Sequence, residues 1–167
     1  MTRLHHILPL ALLVVALSSC DHATIYSEVR DLPLDGWQVD SALCFDVNLS
    51  DTASAYDIIV YVRHTDNYPY QNMWLIVEHD YLQTLVADSA MTPQHVSVVD
   101  TIEFYLADQR GRWLGNGAGS THEMPVLFAD NYHFPADSVH HFAIRHAMRE
   151  TSLRGVTNVG LRVSRND

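Results

Sequence analysis

A period of two runs through this chain and narrows what it can fold into. No stretch keeps an apolar spacing of 3.6 over three turns, the signature of an amphipathic helix. Leu43, Phe45, Val47 and Leu49 alternate with Cys44, Asp46 and Asn48. Residues 57–65 (DIIVYVRHT) put Ile58, Val60 and Val62 on one face and Ile59, Tyr61 and Arg63 on the other. Residues 73–81 (MWLIVEHDY) repeat the pattern. In residues 96–107, Val96, Val98, Ile102, Phe104 and Leu106 share a face that Asp100 interrupts. Phe142, Ile144 and Met148 oppose Ala143 and Arg145, and Val159, Leu161 and Val163 close the chain. Residues 25–30 and 121–128 are shorter candidates. Successive strand side chains point to opposite faces, so this pattern fits sheets with one buried side. About eight such segments separated by turn residues predict an all-β protein, an antiparallel two-layer β-sandwich of jelly-roll or immunoglobulin-like type. With 167 residues in all, one domain over residues 27–167 buries enough surface to need neither metal nor disulfide.

The first twenty residues read as an address. Residues 7–17 are apolar apart from Pro9, which fits the h-region of a secretory signal and falls short of the roughly 20 residues of a membrane span. Leu17-Ser18-Ser19-Cys20 follows and resembles a bacterial lipobox, in which the chain is cut before the Cys and its thiol takes a diacylglycerol. Residues 1–19 are therefore expected to be removed, Cys20 lipidated and residues 20–26 a tether. Two or more acyl chains hold a protein on a bilayer effectively permanently. The membrane is thus one partner, through the lipid on Cys20. The expected location is the cell envelope, on the periplasmic or outer-membrane side. With Cys20 used by lipid, Cys44 has no partner for a disulfide, and it is expected half-buried on a strand.

Composition closes off several chemistries. Ten Arg and no Lys face twenty acids, so the surface repels phosphate backbones and nucleic acid is excluded as partner. No Gly-x-Ser-x-Gly elbow occurs, and the glycines of residues 115–119 lack the Lys and helix of a phosphate loop. They read as turn glycines. The histidines show no metal-ligand spacing, and His140 and His141 would point to opposite faces, so they are expected to be solvated or at pocket rims. The sequence offers no catalytic residue, cofactor or metal site.

Two segments stand out. Residues 65–75 hold Tyr68, Pro69, Tyr70 and Trp74 at a turn between hydrophobic strands. Residues 106–120 run from a strand end into a loop with Arg110, Arg112 and Trp113. Aromatics and Arg on loops are the composition of binding hot spots. The two are expected at one end of the sandwich, with Tyr68, Tyr70, Arg110, Arg112 and Trp113 as candidate partner-binding residues and Trp74 buried. Equally, such residues cap the open end of a sandwich.

Taken together, the lipobox, Asp35-Gly36-Trp37, residues 67–75 (NYPYQNMWL), residues 108–115 (DQRGRWLG) and residues 155–163 (GVTNVGLRV) resemble the GldH family of gliding motility-associated lipoproteins of the Bacteroidetes. The resemblance implies a non-enzymatic accessory protein of the gliding apparatus, linked to type IX secretion, with protein partners in an envelope complex. It implies no catalytic residues. A carbohydrate-binding module is the alternative, with Tyr68, Tyr70, Trp74 and Trp113 stacking on sugar rings.

Overall fold

Each alternating segment becomes a strand because pairing satisfies its backbone while its apolar side chains turn to one face. The computed structural model describes residues 24–87 and 90–166; the expected h-region and Cys20 lie outside the described residues. Eight long strands carry the fold: β1 (Thr24–Asp31), β3 (Leu43–Leu49), β4 (Ala55–Thr65), β5 (Asn72–Ala87), β6 (Ala90–Tyr105), β8 (Thr121–Tyr132), β9 (Ser138–His146) and β11 (Val156–Asn166). Three short pieces join them, β2 (Trp37–Gln38), β7 (Asn116–Ala118) and β10 (Ser152–Leu153), and no helix occurs among the described residues.

The strands form a five-stranded sheet ordered β1-β11-β4-β8-β7 and a four-stranded sheet ordered β3-β9-β5-β6, both antiparallel, with β2 and β10 paired separately. Their inner faces pack together. Tyr56, Ile58, Val60 and Val62 of β4 and Val159, Leu161 and Val163 of β11 meet Phe45, Val47, Leu75, Val77, Phe142 and Ile144 from the other sheet. The protein is an antiparallel β-sandwich, and the phase of β3, β4 and β11 is the one the alternation indicates.

Four details depart from the sequence reading. β1 starts at Thr24 and Tyr26 pairs with Val163, so the last three residues of the expected tether belong to the sheet. Cys44 lies on the outer side of β3 and is exposed, because Phe45 and Val47 take the inner face. Val98 is exposed, since it lies near the start of a long hairpin extension of β5 and β6. Most tellingly, the histidines are not all solvated. His64, His79, His140 and His146 are buried, each on the inner face of its strand.

Candidate functional site

The β4–β5 turn lies beside the β6–β7 loop and the β7–β8 turn at one end of the sandwich. Gln71 accepts from the backbone N–H groups of Leu106 and Ala107, at 2.7 and 3.1 Å, and Asp66 N–H donates to Ser120 O at 3.1 Å. The β10–β11 turn closes under them, with Thr65 N–H donating to Gly155 O at 2.8 Å. Gly155 sits at φ +85°, and a Cβ there would stand 2.5 Å from Tyr68 N. Only glycine lets these turns approach so closely. The pairing of the two segments at one end, expected from the sequence, is present; the roles of their residues are redistributed.

Tyr68 is 3% exposed, its hydroxyl donating to Asn72 O at 2.8 Å. It is a core residue and offers nothing to a partner, because the turn folds its ring inward toward His64, 5.6 Å away. Trp113 is half-buried, edge-on to His64 at 4.6 Å and tilted against His122 at 5.8 Å. His122 in turn lies 2.8 Å from the Asp66 carboxylate. His64 donates from Nδ1 to Thr65 O at 3.1 Å, and burial lowers its pKa. This ring cluster is the support of the loops.

Arg112 is tied back into its own loop. Asp108 Oδ1 accepts from the Arg110 and Arg112 N–H groups, both at 2.9 Å, and Asp108 Oδ2 takes the Arg112 guanidinium at 2.8 Å. These bonds, the Arg112 N–H first, hold the Asp108 carboxyl below the usual carboxylate range. With Ala107 bridging Trp113 and Gly111 at φ +77°, residues 107–113 form a miniature hairpin. The Arg110 side chain is exposed and makes no ion pair among the described residues. The glycines of residues 115–119 shape the turns on either side of β7, Gly115 at φ +78° and Gly119 at +65°.

Trp74, expected in the core, is 39% exposed. β5 turns Met73, Leu75 and Val77 inward, which leaves Trp74 and Ile76 on the outer face. Around Trp74 opens a groove of about 500 Å³, lined by Tyr70, Asn72, Ala147, Met148 and Arg149. Two of its walls are fixed: Met148 Sδ accepts from Trp74 N–H at 3.4 Å, and Tyr70 Oη donates to Glu150 at 2.5 Å. That bond from the Glu150 carboxylate raises the Tyr70 pKa. Asn72 Nδ2 donates to Glu103 at 2.7 Å, and Tyr105, exposed, is the cross-strand partner of Asn72. An exposed tryptophan, a half-buried tyrosine, a thioether and a guanidinium in one concave patch match the composition of binding surfaces. Met148, expected on one strand face with Phe142 and Ile144, lies past the end of β9 together with Arg149, and neither was read as a groove residue because both are more than seventy residues from Trp74 in sequence.

Elsewhere, the outer face of the five-stranded sheet has a smaller groove of about 340 Å³ over Gly160. Its charges are satisfied internally, Arg63 on Glu123 at 2.6 Å and Arg162 on Ser164 and Tyr61. No group of His, Cys, Asp and Glu among the described residues is arranged to hold a metal ion.

Comparison with known proteins adds sequence relatives. Residues 24–163 match the GldH lipoprotein family. A gliding motility lipoprotein GldH of Flavobacterium johnsoniae is 29% identical over 165 residues, covering 95% of each chain. A gliding motility lipoprotein GldH homolog of Christiangramia forsetii is 28% identical over 161 residues, covering 92% of this chain and 91% of that one. No solved structure matches.

Proposed function

The chain belongs to the GldH lipoprotein family, and from that premise we propose that it is a lipid-anchored, non-enzymatic accessory protein of the gliding apparatus that works by holding a protein partner in the groove around Trp74. The curated relatives are named as gliding motility lipoproteins, which supports the first half of this reading. The exposure of Trp74 beside Tyr70, Met148 and Arg149 supports the second. A buried-core tryptophan would be silent; one turned outward on a rigid strand is an anchor for another surface. Cys20 acylation attaches the domain to the envelope, on the periplasmic or outer-membrane side, where components linked to type IX secretion are the natural class of partner.

A second reading has an observation of its own. Asn72, Glu103 and Glu150 converge beside Tyr70 and Trp74, the arrangement a sugar ring would need for stacking and hydrogen bonding. Pull-down of the intact chain from native envelope, run beside a glycan array, separates the two. Protein capture that Trp74→Ala abolishes supports the first reading; array binding lost in the same variant supports the second.

A further inference from the structure

β5 and β6 are each 16 residues long, yet β9 pairs with β5 only over residues 75–80. From Tyr81↔Val96 to Ala87↔Ala90, the two strands pair only with each other among the described residues. At about 3.4 Å per residue, these last seven residues of β5 make a ribbon about 24 Å long. A lone two-stranded hairpin is marginal in water. A solvated ribbon gains nothing from exposed apolar side chains, and this one carries them on both faces. Leu82, 58% exposed, and Met91, 77% exposed, lie on one face, and Leu85, 44% exposed, lies on the other. Within residues 81–97, Asp88 is the sole Asp, Glu or Arg of a chain with twenty acids, and His95 is the sole histidine.

The register fixes where this arm points. Thr24 pairs with Ser164, Ser164 with Asp57, and neighbouring Tyr56 with Tyr132, so these residues share one end of the five-stranded sheet. In the other sheet, Asp80 pairs with His141 near the start of β9. Ring contacts join the two ends: Tyr56 to Phe134 at 5.5 Å, Phe134 to His140 at 4.6 Å and Tyr132 to His79 at 6.2 Å. The arm therefore leaves the sandwich at the end where β1 begins, and the Trp74 groove lies at the other. Residues 21–23 are all that separate Cys20 from Thr24, so Thr24 lies at most about 14 Å from the acylated residue.

We propose that the outer part of the β5–β6 hairpin, through Leu82, Leu85 and Met91, rests on the bilayer as a second membrane contact beside the lipid, a reading that depends on acylation of Cys20. The arm is longer than the tether, so with strands upright it meets the surface. An acidic chain needs a charge-poor segment there, because anionic headgroups repel carboxylates. The consequence is orientation: acyl chains attach the domain, the hairpin sets its tilt, and the Trp74 groove faces away from the membrane.

The test uses the intact, acylated chain with Cys44→Ser, reconstituted in phosphatidylethanolamine–phosphatidylglycerol vesicles. An environment-sensitive fluorophore is attached through Met91→Cys or, at the opposite end, Ser120→Cys. The expected result is flotation of both proteins, with blue-shifted emission at 91 that headgroup-region nitroxide lipids quench severalfold more than emission at 120. Leu85→Asp should abolish the shift without releasing the protein from vesicles. Floating protein whose label at 91 emits as it does at 120 would overturn the hairpin contact while leaving the anchor intact. Protein that fails to float would overturn the anchor reading and the hairpin contact with it.

Discussion

His79 donates its Nε2 proton to Nδ1 of His140 across 2.9 Å, between adjacent strands of the four-stranded sheet. The direction follows from the next bond. His140 Nε2 lies 2.9 Å from Ala136 O, which only accepts, so Nε2 holds the proton and Nδ1 is left as acceptor. Both rings are neutral, and His79 stacks on Phe142 with centroids 4.2 Å apart.

Acid should loosen the fold well before carboxylates protonate. Burial, then the neighbouring His140, pushes His79 down to about 4, and burial lowers His64, His140 and His146 as well. Such groups leave stability intact above the unfolded value near 6.5 and withdraw it as pH falls below that, because the unfolded chain takes up the protons first. At pH 5, about 1.5 units below 6.5, His79 alone removes about 2 kcal/mol, or about 4–8 °C of thermal midpoint. Asp51 and Asp108, held low, lose their contribution only at more acidic pH. Calorimetry at pH 7.5 and 5.0 checks this, and an unchanged midpoint would contradict it.

Tyr68 should behave as core. Tyr68→Phe loses the bond to Asn72 O, worth about 1 kcal/mol. Tyr68→Ala leaves a cavity and should cost on the order of 3–5 kcal/mol. Chemical denaturation of both variants measures the difference; near-equal stability would put Tyr68 outside the core.

Gly155→Ala should destabilise strongly. Its φ of +85° disfavours a side chain by about 1–2 kcal/mol, and the new Cβ would press on the Tyr68 backbone from 2.5 Å. The midpoint is expected to drop further than for Gly111→Ala, where φ is +77° and the space is open. Equal drops would mean that only the backbone angle matters.

The loop clamp predicts an order. Asp108→Ala removes three acceptor contacts at once, whereas Arg112→Ala leaves the bonds to the backbone N–H groups in place. Arg112 is three-quarters exposed, and exposed ion pairs contribute little. Thermal melts should rank Asp108→Ala below Arg112→Ala, with the latter within a few degrees of the parent. The reverse order would make the guanidinium the principal tie.

Where polar residues mark the outer face, the sequence was enough. Asp46 and Asn48 set the phase of β3, and Arg63 that of β4. In residues 73–77 (MWLIV) both faces are apolar, so alternation alone could not tell that Trp74 points outward. Tyr68 misled because its burial depends on Gly155, nearly ninety residues away. The buried histidines were hidden for a chemical reason: a neutral imidazole with one carbonyl partner packs as an aromatic ring, as His146 does on Trp37. Ser152-Leu153 and Asn116-Gly117-Ala118 are too short to show a period at all.

The central claim, a partner held at the Trp74 groove of a membrane-tethered domain, is tested most directly by photo-crosslinking in cells. A photoreactive amino acid replaces Trp74 or, as the reference, His141 on the outer face of the same sheet. Position 74 should give a discrete adduct with an envelope protein, lost when Arg149→Glu is added, and position 141 should give none. No adduct at 74, or the same adducts from both positions, would contradict the account.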